Sequence, residues 1–442
     1  MTTSNKSYQE RLLNVIPGGA HTYSRGFDQF PGNAPEIMVR GKGATSFDAN
    51  NKAYLDYGMA LRAVNIGYAQ DEIDDAAIAQ IKAGNNLTRA SMIELEAAEL
   101  LVELIDSFDM VKFTKNGSTA VSAAVKLARA YTGKDQVLRC HDHPFFSYDD
   151  WFIGSTAIQK GIPQAIIELT TSFPYNDVAR LEAILSQEAD KIACLVMEPC
   201  TTHEPAPSKY FEGKTFLHDV AFLCKKHNVV FILDEMITGF RWDLKGAQHY
   251  YQITPDLSTF GKAMANGYSV AAVGGKREIM SLGSIEKVGQ ERLFLLSTTH
   301  GAEMSGLGAF VATVNYLKQH NVIEHIWRYG RKFIAVFNEC ARAQGVEDFV
   351  EAGGFACSPY YLTKDANGEM SLAFRTLFAQ EMVKQGVLMP WVALCYQHDE
   401  KALAQTKTAL LHTFAVYKKA LASGIDAYLE SDAIKPVFRQ YN

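Results

Sequence analysis

The sequence predicts a two-domain α/β protein whose larger domain is built around a mostly parallel β-sheet. Apolar, strand-like runs alternate with amphipathic helices between residues 110 and 262, a pattern typical of parallel strands joined by right-handed crossovers. After residue 320 the pattern changes to long helices separated by short strands, which indicates a smaller α+β module. The length of 442 residues exceeds what one hydrophobic core normally organises. We therefore expect an N-terminal segment (1–60) that packs with the small domain, a large domain (61–310) and a C-terminal small domain (311–442).

The N-terminal part combines a short helix, an irregular stretch and a small antiparallel meander. An amphipathic helix over 5–15 ends at Pro17-Gly18-Gly19, and the stretch 21–35 is rich in aromatic and turn residues without periodicity. Strand-like segments follow at 37–40, 44–48 and 53–56, the last two separated by a turn at 49–52. Residues 71–83 and 91–106 are predicted to be helices because apolar residues recur at helical spacing.

The large domain is predicted from the alternation of strand-like and helical segments, and the small domain from its longer helical segments. The strands expected in the large domain are 110–114, 136–140, 165–169, 191–197, 228–233, a short one at Leu257, 269–274 and 293–297. The helices expected there are 120–131, 177–189, 214–227 and 304–318. The small domain should contain helices 322–343, 372–385 and 399–422, short strands within 347–362, and a strand at 387–390.

Composition and charge restrict the partners and the compartment. The chain is 48% hydrophobic and 21% charged, as in an ordinary globular protein. A net charge of −6 provides no electrostatic basis for binding nucleic acid or an anionic membrane. The seven cysteines are scattered without a C-x-x-C pair, and the N-terminus lacks an apolar signal core. We therefore expect a cytoplasmic protein with reduced thiols.

Two acidic residues end the most apolar strand, and a lysine follows at the next strand end. The run Phe231–Leu233 is broken by Asp234-Glu235, and Lys262 stands in a glycine-flanked turn, TFGKAMANG. Open α/β sheets bind ligands at the carboxyl ends of their strands. An Asp and a Lys at that edge suit pyridoxal phosphate, with the Lys as Schiff-base amine and the Asp keeping the pyridine nitrogen protonated. An Asp-Glu pair after an apolar run is also a common loop start or helix cap.

A candidate phosphate-binding loop lies upstream. The strand 110–114 runs into Lys115-Asn116-Gly117-Ser118-Thr119 and then into a helix, an arrangement that points free backbone N–H groups at an anion. Asn116, Gly117 and Ser118 could add donors and allow close approach. The alternative is a plain helix N-cap, since Ser and Thr are frequent there.

The loop after strand 136–140 carries two histidines and several aromatic residues. His141 and His143 flank Asp142, but no third ligand stands at helical spacing, so we predict no metal site. An aromatic side chain from this loop is better suited to cover a planar cofactor ring.

With KNGS, ILDEMITGFR and TFGKAMANGYSVAAVGGK in this order, the chain resembles the class III pyridoxal-phosphate aminotransferases, and within them the glutamate-1-semialdehyde aminomutase branch. The resemblance covers roughly residues 10–400. It implies the fold-type I architecture, with a mostly parallel seven-stranded sheet in the large domain. It also implies a homodimer whose active sites lie at the subunit interface.

The resemblance also implies roles for individual residues. Lys262 would be the Schiff-base lysine and the acid/base of the proton shift, and Asp234 the partner of the pyridine nitrogen. The other implied cofactor contacts are Asn116, Gly117 and Ser118 (phosphate), Met236 (behind the ring, where the family usually has Val), Phe145 (ring stacking, with Phe146 as the fallback), Glu198, His203 (where the branch often has Asn) and Thr299 (the phosphate of the neighbouring subunit's cofactor). Arg25 falls where the branch keeps a substrate-carboxylate arginine, and Arg62 is a second candidate for anion recognition.

Two departures from the aminomutase pattern bear on the reaction. Pro390 is followed directly by WVALCYQHDE, without the glutamate-containing stretch of that branch, and the Gly-rich run after the lysine is reduced to Ala265-Asn266-Gly267. These changes favour an intermolecular transaminase that works by a ping-pong mechanism through pyridoxamine phosphate. The aromatic entrance, with Tyr23, Phe27, Tyr148, Trp151 and Trp391, suggests a bulky carbonyl acceptor such as a sugar.

Two other functions are considered beside the transaminase. The first is an intramolecular aminomutase that isomerises one amino-aldehyde without a co-substrate. The second is a non-enzymatic protein with the same fold, which is expected to lack the lysine that is present here as Lys262.

Overall fold

A computed structural model describes residues 6–200 and 202–441. The helices are α1 (Tyr8–Val15), α2 (Met59–Arg62), α3 (Asp71–Lys82), α4 (Met92–Leu104), α5 (Gly117–Thr132), α6 (Asp150–Ile153), α7 (Gln164–Ile167), α8 (Val178–Glu188), α9 (Phe216–Lys226), α10 (Ala247–Tyr251), α11 (Arg277–Met280), α12 (Met304–Gln319), α13 (Val322–Gln344), α14 (Leu372–Lys384) and α15 (Glu400–Ser423). The strands are β1 (Met38–Lys42), β2 (Thr45–Asp48), β3 (Ala53–Asp56), β4 (Met110–Thr114), β5 (Gln136–Cys140), β6 (Thr170–Phe173), β7 (Ile192–Met197), β8 (Val230–Asp234), β9 (Leu257–Phe260), β10 (Ala271–Gly275), β11 (Val350–Gly353), β12 (Tyr360–Thr363) and β13 (Val387–Leu388).

The described chain forms two compact units. One contains the N-terminal residues up to Gln70 together with Glu324–Arg439, and the other contains Asp71–Ile323. The sequence had suggested boundaries after residues 60 and 310. None of the described helices is long and apolar enough to cross a membrane.

The second unit is organised by the predicted seven-stranded sheet, whose strand order is β4-β10-β9-β8-β7-β5-β6. Strand β10 is antiparallel to both of its neighbours, and the other pairs are parallel. Because β4 and β9 both oppose β10, they run in the same direction. The carboxyl ends of all strands except β10 therefore lie at one edge of the sheet, where α/β proteins bind ligands.

The sheet is buried because its central strands are apolar on both faces. Every residue of β7 and of β8 is buried, as expected for parallel strands covered by helices on both sides. Phe231 and Leu233 pack with side chains of α8 and α9 in one core cluster. Since side chains alternate along a strand, Asp234 points to the opposite face of the sheet.

Two predicted strands of the large domain are wrong. Residues 165–167 belong to the short helix α7, and 168–169 form a turn, because Pro163 sets the backbone at the N-cap of α7 and its carbonyl accepts the Ile166 N–H. The strand is instead Thr170–Phe173, which pairs with β5. Residues 293–297 have no regular structure: the Leu293 N–H bonds to the Leu282 carbonyl. The sheet ends at β4 and β6, so this apolar run has no strand beside it.

The first unit contains the predicted meander, which β13 extends. Strands β1, β2 and β3 are antiparallel, and β13 adds to β3 in parallel. Helices α14 and α15 pack together, and β11 and β12 form a separate hairpin. The stretch 21–35 contains two single 3₁₀ turns, at Tyr23–Arg25 and Phe27–Gln29.

The turn after β3 is left-handed, which the sequence does not indicate. Met59, Ala60, Leu61 and Arg62 have φ values of 39°, 48°, 62° and 67°. L-residues in this conformation cost roughly 1–2 kcal/mol each because Cβ approaches the following carbonyl oxygen. None of the four is glycine, so the surrounding structure must impose this turn.

We expect glycine to be tolerated at position 60. Ala60→Gly removes the clash of Cβ in the left-handed turn, whereas Ala79→Gly weakens an exposed position of α3 by about 1 kcal/mol. The Ala60→Gly protein should therefore be more stable than the Ala79→Gly protein by about 1–2 kcal/mol, measured by urea unfolding. Equal losses for the two variants would contradict the left-handed assignment.

Candidate active site

Asp234 is a fully buried carboxylate at the end of β8. Its Oδ1 accepts hydrogen bonds from the Met236 N–H (3.0 Å) and from the Thr259 hydroxyl (3.0 Å). Thr259 stands opposite Asp234 in the register of β8 and β9. Both bonds go to the same oxygen, so Oδ2 keeps its lone pairs for a further donor. Burial raises the pKa of Asp234 from 3.8 to about 6, and the charge of Lys262 opposes this rise.

Lys262 follows β9 at the same edge of the sheet. It begins a short 3₁₀ turn, Lys262–Ala265, with a φ of 42°. The register of β8 with β9 puts Thr259 beside Asp234, and Lys262 comes three residues later in the chain. The charge of Lys262 also lowers the pKa of Asp234, against the effect of burial. Both residues therefore lie at the same edge of the sheet, and their roles toward a cofactor stay predictions.

The loop before α5 reaches the same place. Asn116 is the N-cap of α5, and its side chain accepts from the Thr119 N–H (2.9 Å) and hydroxyl (3.0 Å). An N-cap is thus present, on Asn116 rather than on the Ser or Thr that the sequence had indicated, and the start of this 16-residue helix is also a place that favours an anion. The helix begins at Gly117, earlier than predicted, because Asn116 caps it.

Met236 brings the three stretches together. A Cβ on Gly117 would lie 2.7 Å from the Met236 sulfur, and a Cβ on Gly261 would lie 2.5 Å from it. Both glycines therefore leave room for this side chain. Met236, two residues after Asp234, therefore contacts both Gly261, which precedes Lys262, and Gly117, which begins α5. The strand ends that carry the acid, the amine and the anion loop thus lie around one position.

A methyl group added at Gly261, next to Met236, should destabilise the protein, and a smaller side chain at position 236 should reverse part of that loss. We expect Gly261→Ala to lower the free energy of unfolding by about 1–3 kcal/mol, because its Cβ has no space beside the sulfur. Met236→Val in the same protein should recover at least half of the loss, since valine lacks the sulfur. Urea unfolding of the two single variants and the double variant measures this. An unchanged loss in the double variant would show that another neighbour causes the clash.

His143 has a structural role in the described loop. Its Nδ1 accepts the Glu198 N–H at 3.0 Å, and burial lowers its pKa to about 3, so it stays neutral. It thereby ties the loop after β5 to the end of β7. Among residues 6–200 and 202–441, no group of three or more His, Cys, Asp or Glu is arranged to hold a metal.

The aromatic loop packs on the anion loop through contacts that the sequence did not reveal. The Tyr148 N–H donates to the Ser118 hydroxyl (3.2 Å), and the Tyr148 hydroxyl lies 3.3 Å from that of Thr119. The Ser147 hydroxyl donates to the Ser118 carbonyl (3.3 Å). Tyr148 was considered only as an entrance residue. The small side chains of STAVS at the start of α5 could have indicated a close approach.

The two phenylalanines proposed for ring stacking differ in exposure. Phe145 is 44% exposed, whereas Phe146 is buried and packs edge-on against Phe152 with 5.6 Å between ring centroids. Phe145 also packs edge-on against Phe152, so the two differ in exposure alone. The role of Phe145 against the cofactor ring stays a prediction.

The remaining predicted contacts lie in different surroundings. Glu198 is buried at the end of β7, and His203 is exposed. Thr299 is exposed and its carbonyl accepts the Asn86 side-chain amide (2.9 Å). In the other unit, Arg25 is exposed in a 3₁₀ turn and Arg62 is half-buried in the left-handed turn.

Polar side chains next to the anion loop also tie it to the stretch that contains Thr299. The Lys115 ammonium lies 2.5 Å from Oε2 of Glu303, whose Oε1 accepts the Asn85 side-chain amide (2.7 Å). This ion pair lowers the pKa of Glu303. The sequence indicates Lys115 as part of the loop but not its pairing with Glu303, because the two residues are 188 positions apart.

Comparison with known proteins agrees with this arrangement. The family model described as aminotransferase class-III matches residues 29–393. The chain belongs to the class-III aminotransferases. The chain is 32% identical to a 3-aminobutyryl-CoA aminotransferase of Cloacimonas acidaminovorans (strain Evry). The alignment spans 416 residues, which are 93% of this chain and 97% of the relative. The aminotransferase is 36% identical over 290 residues to a glutamate-1-semialdehyde 2,1-aminomutase of Wigglesworthia glossinidia brevipalpis, over 63% of this chain and 65% of that one.

The solved structures support the predicted fold-type I architecture. The FumI protein of Sphingopyxis sp. MTA144, solved with pyridoxal phosphate, matches with a TM-score of 0.82 and 25% identity over 94% of this chain and 97% of that chain. An omega-transaminase from Sphaerobacter thermophilus matches in fold with a TM-score of 0.82, at 24% identity over 93% and 97% of the two chains. The cofactor of the aminotransferase is pyridoxal phosphate, as the sequence predicted.

The residues present fit this cofactor. Asp234 Oδ2 can accept from a protonated ring nitrogen, since the other two donors use Oδ1. The start of α5 offers backbone N–H groups to a phosphate. When bound, the cofactor acts as an electron sink for the carbon that carries the amino group. Lys262 would supply the amine that holds the cofactor, and the same amine could accept and return a proton at that carbon.

Proposed function

We propose that this aminotransferase transfers the amino group of an amino-acid donor to a separate carbonyl acceptor in a ping-pong reaction. The observation that carries the proposal is the contact of Met236 with Gly117 and Gly261, because it assembles Asp234, Lys262 and the anion loop. Asp234 holds the ring nitrogen, the start of α5 holds the phosphate, and Lys262 exchanges protons with the substrate. Arg25 or Arg62 binds the donor carboxylate, since a guanidinium matches a carboxylate with two parallel hydrogen bonds.

The same proposal includes a cytoplasmic homodimer in which Thr299 reaches the partner's cofactor. The exposed apolar residues between β10 and α12 support an interface there, because Ile285, Val288 and Phe294 are 81%, 94% and 63% exposed. The seven cysteines are all buried free thiols, which supports a reducing compartment. The relative from Cloacimonas suggests a donor whose amino group is carried on the third carbon.

The second candidate is an intramolecular aminomutase, because two of the relatives carry that activity. The segment after Pro390 weighs against it. Trp391 there donates its indole N–H to the Gly58 carbonyl (3.0 Å), so the position is used to hold the chain rather than to offer a polar group to a substrate.

A half-reaction test separates the two. The cofactor-loaded enzyme is mixed with single amino acids, freed of them, and then given carbonyl acceptors. We expect a donor to bleach the visible absorption and to be released as its keto acid. A carbonyl acceptor added afterwards should restore the absorption. Parallel lines in double-reciprocal plots complete the case. Conversion of one amino-aldehyde into its isomer without any acceptor, with no donor able to bleach the enzyme, would instead establish the aminomutase.

A further inference from the structure

A chain of hydrogen bonds holds the aromatic loop 141–155 on the first two turns of α5. The Trp151 indole N–H donates to the Ser122 hydroxyl (2.9 Å), which lies 2.9 Å from the Ser147 hydroxyl. The Ser147 hydroxyl donates in turn to the Ser118 carbonyl (3.3 Å). A hydroxyl has one hydrogen, so Ser122 gives its own to Ser147 and every bond of the chain runs in the same direction. Bonds in such a series strengthen one another.

The hydrogen-bond chain is shielded from water. Ser147 is fully buried, Ser118 and Trp151 are 7% and 6% exposed, and Ser122 is half-buried. Trp151 therefore does not line an aromatic entrance, as the sequence had suggested. Because water competes little for these bonds, they fix the position of the loop on the helix.

The two ends of the loop are fixed separately, by the buried guanidinium of Arg139. Its Nη1 donates to the Cys140 carbonyl (3.0 Å), and its Nε and Nη2 donate to the hydroxyl (2.7 Å) and the carbonyl (2.9 Å) of Ser155. Since both ends are fixed, loss of the bonds to α5 should shift the middle of the loop rather than release the whole loop. The residue in the middle is Tyr148.

The Tyr148 N–H meets a side chain that is expected to bind phosphate. It donates to the Ser118 hydroxyl oxygen (3.2 Å), and the hydrogen of this hydroxyl bonds to no other described residue. An oxygen that accepts a bond from one side directs its own hydrogen elsewhere. The Ser118 hydroxyl is therefore left as a donor at the start of α5, the place that favours an anion.

We propose that the loop 141–155 is a positioning element of the phosphate site. The chain from Trp151 to Ser118 holds the Tyr148 N–H on the Ser118 hydroxyl, and this bond keeps that hydroxyl oriented as a donor to the cofactor phosphate. The proposal rests on one part of the proposed function, that the start of α5 holds the phosphate. It holds for a transaminase and for an aminomutase alike.

The test is Ser122→Ala, which breaks the hydrogen-bond chain in its middle. Alanine is the best helix former, so the substitution does not weaken α5 itself. We expect the Kd of pyridoxal phosphate for the cofactor-free full-length protein to rise about tenfold, as for the loss of one hydrogen bond to a charged group. The Kd of pyridoxal, which lacks the phosphate, should stay within about twofold. Titration followed by visible absorption measures both.

Thr132→Ala is the matched control, because the Thr132 hydroxyl belongs to the same helix and donates to the Ala128 carbonyl (2.8 Å) instead of to the loop. It should change neither Kd by more than about twofold. Trp151→Phe provides a second variant, since it removes the first donor of the chain and keeps an aromatic ring. It should raise the Kd of pyridoxal phosphate and leave that of pyridoxal unchanged.

A double variant links the chain to the Ser118 hydroxyl. Ser118→Ala alone should raise the Kd of pyridoxal phosphate at least about tenfold, because it removes the donor itself. Ser122→Ala added to it should raise the Kd by less than about twofold more, since no hydroxyl is left to orient.

The two cofactor forms and the double variant separate the outcomes. A rise for pyridoxal phosphate alone in Ser122→Ala, which disappears in the Ser118→Ala protein, supports the proposal. An equal rise for both forms, an unchanged Kd of pyridoxal phosphate, or full additivity with Ser118→Ala overturns it. A Ser118→Ala protein that binds pyridoxal phosphate as tightly as the wild type overturns instead the part of the proposed function in which α5 holds the phosphate.

Discussion

Lys262→Ala should lower kcat for transamination by at least about 10⁴-fold and abolish the visible absorption of the cofactor-loaded enzyme. The amine of Lys262 stands just after β9, at the sheet edge that carries Asp234. Its loss removes both the group that bonds to the cofactor and the group that moves the substrate proton. Steady-state kinetics and an absorption spectrum of the purified variant measure the two effects together.

The control is a lysine of the same unit outside the site. Lys276, which lies 2.5 Å from Asp256 in an ion pair, should tolerate replacement by alanine with kcat within about twofold. Added small primary amines should recover part of the Lys262→Ala activity, because they can replace the proton-transfer group. A Lys262→Ala enzyme with normal turnover and colour would disprove the assignment.

Asp234→Asn should lower kcat/KM by about 10²–10³-fold while leaving the fold intact. The asparagine Oδ1 can still accept from the Met236 N–H and the Thr259 hydroxyl, so the local bonds are kept. The neutral amide cannot stabilise a protonated ring nitrogen, which weakens the electron sink. Kinetics and cofactor titration of the variant give the loss.

The neighbouring carboxylate is the matched control. Glu235 is also fully buried, but its oxygens accept from the Thr238 hydroxyl (2.5 Å) and from the N–H groups of Ala247 (2.8 Å) and Gln248 (2.7 Å). Glu235 thus stabilises the segment that follows it. Glu235→Gln should lower the free energy of unfolding with little change in the visible absorption of the cofactor-loaded enzyme. Equal kinetic losses in the two variants would argue against a special role for Asp234.

The pH dependence provides an independent check on Asp234. Burial raises the pKa of this carboxyl from 3.8 to about 6, so it is neutral below pH 6 in the cofactor-free protein. Cofactor affinity should therefore fall by up to about tenfold per pH unit below pH 6 in the wild type, and less steeply in Asp234→Asn. The same raised pKa means that ionisation of Asp234 lowers the stability of the cofactor-free wild type as pH rises from 4 to 6, a loss that Asp234→Asn should not show.

The sequence by itself determined the parts of this protein that depend on neighbouring residues. Helix α5 follows from the alanine-rich run 120–131, and its predicted stop at Gly133 is confirmed, since Gly133 adopts a left-handed φ of 69°. Strand β8 follows from continuous apolar residues, and Asp234 from the place where they stop. Such signals are local and survive in any fold that contains them.

Tertiary structure decided what depends on residues far apart in the chain. The run 293–297 has strand composition but forms no strand, and it pairs with neither edge strand of the sheet, β4 or β6. Gly117, Met236 and Gly261 meet only after β4, β8 and β9 have aligned, so no spacing in the sequence indicates their contact. In the left-handed turn Met59–Arg62, Asp56 accepts the Met59 N–H and the Tyr68 hydroxyl accepts the Ala60 N–H, while Trp391 bonds to Gly58 just before the turn. These side-chain contacts act against the preference of each residue of the turn. Local preference is worth roughly 1–2 kcal/mol per residue, and several buried hydrogen bonds together can outweigh it.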